Sequence, residues 1–387
     1  MLRLYLPPDK LVHYRLCKKF IMSSKPIRWG IIGTGFIAGE FAKGLSFVPE
    51  AQLLGVASRK VANAEAFSKV FQIPRFYSSV EELVRDPDID VVYIGTPNHT
   101  HKHLSILCLS AGKPILCEKP FAVNAIEARE VIEVARRQQL FCMEAMWMRF
   151  MPLIQEVKAK IEGGEIGKVR MLSADFGYVV SSNSSYSTTL DKGGGVLLDR
   201  GIYGLSLAYY LLGEPAAIIS QANLLDTGVD EQSTVLLNYN QGALAVLSQS
   251  LCTESSNQAI IMGSKGRITI DKLFIMPEKI SVAKFDVATD NFPSPLTPPS
   301  AKQKLVAKVK QNSFIRRTYI SLTSLLSSED TSIKPLKGNG YNYEAVEVVK
   351  CLQTGKLESE VMPLDETLKI IEAMDLIRSQ WSKSSSH

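Results

Sequence analysis

The feature that most constrains the fold is a glycine-rich turn directly after an apolar segment. Residues 27–33 read Ile-Arg-Trp-Gly-Ile-Ile-Gly and lead into the pattern Gly33-x-Gly35-x-x-Ala38. In such a pattern the first glycine permits a tight turn, the second leaves room for a pyrophosphate, and the small third residue lets a helix lie close to the strand. The free N–H groups at the start of that helix attract phosphate. The predicted dinucleotide contacts are Gly33, Gly35, Phe36 and Ile37.

The next apolar run indicates which dinucleotide binds. Residues 53–57 are followed by Ser58-Arg59-Lys60, without the acid that an NAD site usually places there for the ribose 2′-hydroxyl. A hydroxyl and a cation would instead attract a 2′-phosphate, which an arginine can hold with two parallel N–H groups. We therefore predict NADP, with NAD less favoured, bound by Ser58 and Arg59. The alternative is that Arg59 and Lys60 belong to a solvated turn.

Composition favours a protein with two packed domains. The chain has 387 residues, of which 45% are hydrophobic and 21% charged. Its six cysteines show no C-x-x-C motif and no metal-binding spacing, which is typical of reduced thiols in a cytoplasmic protein. No apolar run approaches the length of a membrane span, so we expect no membrane contact through a spanning segment.

The net charge of +5 is concentrated at the beginning of the chain. Residues 1–21 contain five Lys or Arg residues and one Asp, so the remainder is nearly neutral. A nearly neutral body argues against nucleic acid as a partner. The segment lacks the continuous apolar core of a signal peptide. We interpret residues 1–26 as a disordered basic extension, or as a misassigned start upstream of Met22.

Hydrophobic patterning divides the rest of the chain in two. Alternating strand-like and helical segments over 27–150 predict a doubly wound parallel sheet, the Rossmann form of an α/β fold. In 151–387, successive strand-like runs favour an α+β domain with an open, mostly antiparallel sheet. A Pro-rich and basic insertion near 285–335 interrupts this second domain. We interpret the insertion as solvated; the alternative is a membrane-surface or partner contact.

Two loops of the first domain place polar residues where strands end. Thr96 and Asn98 follow one predicted strand, and Lys119 follows the next. Ligands of doubly wound sheets lie at the carboxyl ends of strands, so we predict that Thr96 and Asn98 contact the cofactor and that Lys119 points into the crevice. The alternative for Lys119 is an ordinary surface lysine. The nearby His99, His101 and His103 do not share one helix face, and we predict no metal.

The second domain contains a third candidate segment. Gly193-Gly-Gly195 opens a predicted helix in which Asp199 and Tyr203 are four residues apart and face the same side. A nearby Lys ammonium would lower the pKa of Tyr203 towards the range that a base for alcohol deprotonation needs. Taken alone, the pattern favours the alternative, a core tyrosine with a capped hydroxyl.

Three motifs in this order resemble the Gfo/Idh/MocA oxidoreductases. They are the glycine-rich turn, Glu118-Lys119-Pro120, and Gly193-Gly-Gly-x-Leu-Leu-Asp199-x-Gly-Ile-Tyr203. The resemblance spans about residues 27–270 and resumes at Tyr341-Asn-Tyr-Glu344. Within the family the chain is similar to the dimeric dihydrodiol dehydrogenases and NADP-dependent D-xylose dehydrogenases, on three further stretches: 143–150, Asp175-Phe-Gly177 and Gly228-Val-Asp230.

The resemblance implies roles for individual residues. Lys119 and Tyr203 would form the catalytic pair, and Asp199 would orient the substrate or Tyr203. It also implies a homodimer that forms through the second-domain sheet. Arg200 departs from the family, which usually has an apolar residue there. The remaining implied residues are His101 and Glu118 for the cofactor, and Trp147, Arg149 and Phe176 for the substrate.

We therefore expect a cytoplasmic, NADP-dependent oxidoreductase that transfers hydride between a cyclic sugar or trans-dihydrodiol and nicotinamide. One alternative is an enzyme that retains NADP, because the stretch around Tyr203 also resembles glucose–fructose oxidoreductase. Another is an NADP-binding regulator without turnover, since a fold does not determine a function.

Overall fold

Two β-sheets organise the structure, a computed structural model that describes residues 25–180, 189, 193–285 and 329–381. Most of the basic extension and of the insertion lie outside these ranges. The first sheet is parallel throughout and has the strand order 3-2-1-4-5-6. Its strands are β1 (Ile27–Ile32), β2 (Ala51–Ala57), β3 (Arg75–Tyr77), β4 (Val91–Ile94), β5 (Ile115–Glu118) and β6 (Cys142–Ala145).

The strand order reverses between β1 and β4, and this reversal opens a crevice at their carboxyl ends. The predicted Rossmann sheet is thus confirmed; the short exposed strand β3 was not predicted. Strands β4, β5 and β6 are buried at every position, because helices cover both faces of a parallel sheet. These helices are α1 (Phe36–Leu45), α2 (Val61–Phe71), α3 (Val80–Arg85), α4 (His101–Ser110) and α5 (Ala125–Gln138).

The second sheet has eight strands in the order 14-13-12-11-7-10-9-8. Only β7 and β10 pair in parallel; the other neighbours are antiparallel, as predicted for this domain. The strands β13 and β14 were not predicted. The strands are β7 (Val169–Gly177), β8 (Ala217–Leu224), β9 (Asp230–Asn238), β10 (Leu244–Ser250), β11 (Ala259–Gly263), β12 (Gly266–Ile270), β13 (Lys279–Lys284) and β14 (Asp330–Ile333).

Helices cover one face of this sheet and join it to the first domain. The helices are α6 (Pro152–Glu162), α7 (Ile202–Leu212), α8 (Tyr341–Gln353) and α9 (Leu364–Trp381), and a π-helical turn, Leu197–Gly201, precedes α7. Helix α7 packs on β7 and β10, and α9 packs on both β8 and α5. Gln380 of α9 donates to the carbonyl oxygen of Ile218, while Glu372 pairs with Arg129 on α5. The last helix therefore fixes one domain against the other.

Across the described ranges, none of the helices combines the length and the apolar composition that crossing a bilayer requires.

Candidate active site

The turn after β1 is shaped to hold a phosphate. Gly33 has a φ of +113°, and a Cβ atom there would lie 2.3 Å from the carbonyl oxygen of Gly95, so the position requires glycine. A Cβ atom on Gly35 would meet no atom within 4 Å, which leaves open space for a pyrophosphate. Phe36 and Ile37 are exposed, and α1 begins there without a side-chain cap or an acid in its first turn. These residues fit a dinucleotide, because the first N–H groups of α1 remain available to an anion.

Ser58 and Arg59 lie beside this turn, at the carboxyl end of β2. The N–H of Gly33 donates to the carbonyl oxygen of Ala57 at 3.0 Å, and Thr34 Oγ1 donates to Ser58 Oγ at 3.5 Å. Arg59 is exposed and forms no ion pair with any residue that the structure describes. Its guanidinium is therefore free to bind an anion where dinucleotide sites distinguish the ribose 2′ substituent.

The loop after β4 brings Thr96 and Asn98 to the crevice in different ways. Thr96 is half-buried, and its hydroxyl lies 2.7 Å from the hydroxyl of Thr100. Asn98 is buried, and its side-chain amide donates to the carbonyl oxygen of Gly193 at 3.0 Å. Asn98 was predicted to contact the cofactor. In the structure it connects the cofactor domain to the glycine segment of the second domain.

His101 lies beneath the crevice and is fully buried. Its Nδ1 and Nε2 atoms each lie 2.8 Å from a carbonyl oxygen, those of Pro120 and Thr96 respectively. Burial lowers the pKa of His101, against these two backbone contacts. The ring is enclosed and joins the loop after β4 to the loop after β5, and its predicted contact with the cofactor stays a prediction.

Strand β5 ends at Glu118, and Lys119 follows it. The two side chains differ in how far they are exposed to solvent. Glu118 is buried, and its Oε1 accepts a hydrogen bond of 2.5 Å from the hydroxyl of Tyr93. Burial raises the pKa of Glu118 to about 6, although Tyr93 and the charge of Lys119 act in the opposite direction. Glu118 therefore lies in the interior, and its predicted contact with the cofactor stays a prediction. The side chain of Lys119 is 15% exposed.

Asp199 and Tyr203 are carried by the π-helical turn and the helix α7 that continues it. At the start of this segment the N–H of Leu197 donates to Asp230 Oδ2 at 2.8 Å. Gly195 has a φ of +118°, and a Cβ atom there would lie 2.1 Å from Asp230 Oδ1. Asp230 and a glycine therefore determine where the segment begins, as a cap does at the start of a helix. Burial raises the pKa of Asp230 to about 7.

Lys119 contacts both residues of this segment across the domain boundary. Its Nζ donates to the carbonyl oxygen of Asp199 at 2.9 Å and to Asp199 Oδ1 at 3.2 Å, and it lies 4.8 Å from the centroid of the Tyr203 ring. Burial alone would lower the pKa of Lys119, but the charges of Tyr203, Asp199 and Glu118 outweigh burial and raise it. The ammonium group therefore stays charged at neutral pH.

The hydroxyl of Tyr203 accepts a hydrogen bond of 2.8 Å from Trp147 Nε1. Burial raises the pKa of Tyr203 to about 12, and the charge of Lys119 and the bond from Trp147 offset burial only in part. The charge of Lys119 lowers this pKa, as expected, but it does not bring the pKa below its ordinary value, because the buried phenolate loses more hydration than one ammonium group replaces. Tyr203 consequently carries its proton at neutral pH.

Aromatic rings enclose Tyr203, including the predicted Trp147 and Phe176. The ring of Phe176 meets that of Tyr203 edge-on, with centroids 5.7 Å apart. Trp147 stacks on Tyr341 with centroids 4.9 Å apart and planes 6° from parallel. Trp147 also lines a cavity of about 630 Å³ between the start of α1 and the second domain. The other lining residues are Phe36, Glu40, Lys272, Leu273, Met276, Glu278, Leu336, Gly338, Asn339 and Tyr341.

Of the predicted substrate residues, Phe176 and Arg149 are not among those that line this cavity. Arg149 is enclosed elsewhere in the fold. Its side chain is 0% exposed. Its Nε donates to the hydroxyl of Ser206 at 2.7 Å, its Nη1 to the carbonyl oxygen of Val361 at 3.1 Å, and it pairs with Glu366. The guanidinium thus joins α7 to the C-terminal segment. Arg149 lies two residues from Trp147 in sequence but contacts a different part of the fold, and its predicted contact with the substrate stays a prediction.

Sequence reasoning assigned no role to Tyr341 and Asp230, although both stood in motifs that resembled the family. Tyr341 supports Trp147, and Asp230 caps the segment that carries Tyr203. Tyr341 is far from Trp147 in the chain, and Asp230 is far from Leu197, so no sequence motif or residue spacing could have predicted either contact. In the part of the chain that the structure describes, no group of three or more His, Cys, Asp or Glu side chains could hold a metal ion.

Comparisons with known proteins agree with this geometry. Residues 27–146 match the family model described as an oxidoreductase family with an NAD-binding Rossmann fold, and residues 154–269 match the model of the GFO/IDH/MocA C-terminal domain. The chain belongs to the Gfo/Idh/MocA oxidoreductase family. It is 35% identical over 356 residues to trans-1,2-dihydrobenzene-1,2-diol dehydrogenase of Mus musculus, covering 91% of this chain and 96% of that protein.

Two solved structures share the fold at lower identity. One is a 3-ketoreductase from Actinomadura kijaniata in complex with NADP, with a TM-score of 0.74 and 22% identity over 92% of this chain and 98% of that one. The other is levoglucosan dehydrogenase in complex with NADH, with a TM-score of 0.75 and 20% identity, again over 92% and 98%. Because one structure holds NADP and the other NADH, the choice of cofactor depends on this chain's own residues.

Proposed function

We propose that this family member is an NADP-dependent dehydrogenase of a cyclic diol or sugar, with Lys119 and Tyr203 as its catalytic pair. The observation that carries the proposal is the contact between the domains. Lys119 Nζ lies 3.2 Å from Asp199 Oδ1 and 4.8 Å from the Tyr203 ring centroid, at the carboxyl end of β5 beside the dinucleotide turn. An ionised ammonium beside a tyrosine can bind a hydroxyl group, and the tyrosine in its phenolate form can deprotonate it.

Tyr203 and Lys119 have separate tasks in this mechanism. In the oxidation, the Tyr203 phenolate accepts the proton of the substrate hydroxyl at Oη, while Lys119 stabilises that phenolate beforehand and then the negative charge that develops on the substrate oxygen. Trp147 donates to the same phenolic oxygen and keeps it oriented. When bound, a nicotinamide would supply the acceptor for the hydride, which leaves the carbon that carries the substrate hydroxyl group.

The raised pKa of Tyr203 gives this chemistry a pH dependence. Oxidation needs the phenolate, and a pKa of about 12 in the free protein keeps Tyr203 protonated at neutral pH. Oxidation should therefore accelerate as the pH rises from 7 to 10. In the reverse direction the protonated Tyr203 is ready to donate to a carbonyl oxygen, so reduction should be favoured at neutral pH.

Two lines of support bear on cofactor and substrate class. The exposed Arg59 and the absence of an acid beside Ser58 favour the 2′-phosphate of NADP over a free 2′-hydroxyl. The relative at 35% identity is named for trans-1,2-dihydrobenzene-1,2-diol, and a cavity with aromatic and aliphatic side chains suits a cyclic diol. The described cysteines are free thiols, which supports a reducing compartment, the cytoplasm.

The open face of the eight-stranded sheet is the surface through which two copies would pair. Across neighbouring strands the register aligns Ile219 with Leu236 and Leu236 with Val246, and Ile219 is 65% exposed. Such an apolar row on an otherwise polar face suits a second sheet. Sedimentation analysis of the Ile219→Glu variant tests this: the wild type should be a dimer and the variant a monomer. A monomeric wild type would contradict the proposal.

The test of the function follows nicotinamide absorbance with NADP⁺ or NAD⁺ at pH 7 and pH 9. Substrates are trans-1,2-dihydrobenzene-1,2-diol, D-xylose and other aldoses. Turnover with NADP⁺ that increases at pH 9 would support the proposal. Turnover only with NAD⁺ would contradict the proposed role of Arg59 in binding the 2′-phosphate of NADP. No turnover by protein that still binds NADP would favour a regulator, whereas NADP that stays on the protein through gel filtration would favour an enzyme that retains its cofactor.

A further inference from the structure

A second cation lies next to the catalytic carboxylate. Arg200 follows Asp199 in the chain and is 1% exposed. Its Nη1 donates to the carbonyl oxygens of Tyr178 and Ser250, and its guanidinium carbon lies 3.4 Å from the centroid of the Tyr178 ring. The guanidinium group is thus fixed in position and orientation by the ends of β7 and β10.

The other edge of this guanidinium has no partner. Nε and Nη2 of Arg200 are both buried, and neither forms a hydrogen bond with any described residue. These two N–H groups point in the same direction, in the spacing that matches the two oxygens of a carboxylate. A buried donor without an acceptor is unfavourable, so an acceptor that reaches this edge would be bound strongly.

Asp199 is the carboxylate within reach of that edge. Asp199 Oδ2 lies 3.7 Å from Arg200 Nε, which is too long for a hydrogen bond. Asp199 Oδ1 lies 3.2 Å from Lys119 Nζ on the other side. The carboxylate therefore stands between two cations and is bonded to only one of them. Its side chain is 38% exposed, so a small rotation towards Arg200 is not blocked by burial.

We propose that Arg200 is a positioning residue that takes Asp199 from Lys119 when a substrate oxygen binds to Lys119. The inference rests on the proposed function of the site. In this structure Lys119 donates two hydrogen bonds to Asp199, one to its carbonyl oxygen and one to its carboxylate, which occupies two of its three N–H groups. When the carboxylate turns to the free edge of Arg200, one of these N–H groups becomes available to the substrate. Arg200 thereby lowers the cost of displacing Asp199 and favours substrate binding.

The first experiment is independent of any substrate. A crystal structure of the full-length Lys119→Met variant removes the present partner of Asp199 and leaves Arg200 intact. We expect both carboxylate oxygens to move to about 2.7–2.9 Å from Nε and Nη2 of Arg200. Wild-type protein crystallised under the same conditions is the control and should keep the single contact with Lys119. A carboxylate that turns to solvent, or stays beyond about 3.5 Å from Arg200, would overturn the proposal.

The second experiment compares Arg200→Lys with Arg200→Met, using NADP⁺ and trans-1,2-dihydrobenzene-1,2-diol or D-xylose. In both variants KM should rise by about tenfold while kcat stays within about twofold, because substrate binding loses the step that frees Lys119. Lysine keeps the charge but lacks the paired N–H groups, so it should not restore KM. Cofactor affinity and melting temperature report on folding, and Arg200→Lys remains available if the methionine variant does not fold.

The outcomes separate this inference from the proposed function. Full recovery of KM in Arg200→Lys, or an unchanged KM in both variants, would overturn the role of Arg200. If the wild type turns over no diol or sugar, the proposed function fails, and the structure of the Lys119→Met variant still decides whether Asp199 exchanges partners.

Discussion

On the cofactor side of the crevice, the atoms available for binding are backbone N–H groups and exposed side chains, such as those after Gly35 and at Arg59. On the substrate side, Lys119 donates to Asp199 and lies over the ring of Tyr203, which the ring of Phe176 meets edge-on. A change on the first side removes one contact to a ligand. A change on the second side also alters the pKa or orientation of its neighbours, so we expect such effects to spread through the site.

The largest expected effect tests the substrate side. Tyr203→Phe removes the proton acceptor and should lower kcat by about 10²–10⁴-fold, the usual contribution of a general base. The affinity for NADP should hardly change, because Tyr203 lies on the opposite side of the crevice. Steady-state kinetics and cofactor titration check both points. Tyr209→Phe, a buried tyrosine on the same helix, should keep full turnover; unchanged turnover in Tyr203→Phe would remove that residue from the mechanism.

On the cofactor side, Arg59→Ala should have a smaller and strictly local effect. Loss of a charge-assisted contact at an exposed site should weaken NADP binding by about tenfold and leave NAD binding unchanged. Equilibrium titration with both cofactors measures the ratio. Arg137→Ala, which removes an exposed arginine at the end of α5, is the matched control. An equal loss of affinity for NADP and for NAD would mean that Arg59 does not distinguish a 2′-phosphate from a 2′-hydroxyl.

Trp147→Phe tests whether effects spread on the substrate side. The variant loses the hydrogen bond to Tyr203, worth about 0.5–1.5 kcal/mol, and should lower kcat by about three- to tenfold. Since that bond lowers the pKa of Tyr203, its loss should also shift the oxidation profile to higher pH. Trp29→Phe changes a buried tryptophan in the cofactor domain whose Nε1 has no described partner. It should leave the profile in place, and a profile unmoved in both variants would contradict the coupling.

The smallest expected effect concerns stability. Burial raises the pKa of Asp230 to about 7, whereas an unfolded chain has a value of about 3.9. Between these values the folded protein binds more protons, so the stability contributed by Asp230 is present below pH 4 and lost as the pH rises to 7. Asp230→Asn keeps an acceptor for Leu197 without the charge. It should be more stable than wild type at pH 8, and the difference should shrink as the pH falls from 7 towards 4.

Melting curves at pH 5 and pH 8 measure this difference, and each 1 kcal/mol corresponds to about 2–4 °C for a domain of this size. Asp226→Asn, a change at an exposed aspartate, should show no pH-dependent difference from wild type. A constant offset between Asp230→Asn and wild type at both pH values would show that Asp230 does not change its protonation over this range.

The sequence patterns predicted positions along the backbone better than the surroundings of the side chains. The glycine turn at Gly33 and Gly35 follows β1, and Arg59 follows β2, as the patterns predicted. The surroundings of several other predicted site residues had no such signal. His101 and Glu118 stand in motifs at strand ends but face the interior, and Arg149 lies beside Trp147 in sequence but binds Ser206. A motif specifies a position on the backbone and does not specify what encloses the side chain.

The parallel sheet, the mostly antiparallel second sheet and the glycine turn could be predicted from hydrophobic periodicity and backbone geometry, which act over a few residues. Three-dimensional contacts were needed to learn that Tyr203 keeps its proton, that Asp230 caps the segment before it, and that Asp199 lies between Lys119 and Arg200. Such properties depend on desolvation and on charges brought together from distant parts of the chain, and no local pattern records them.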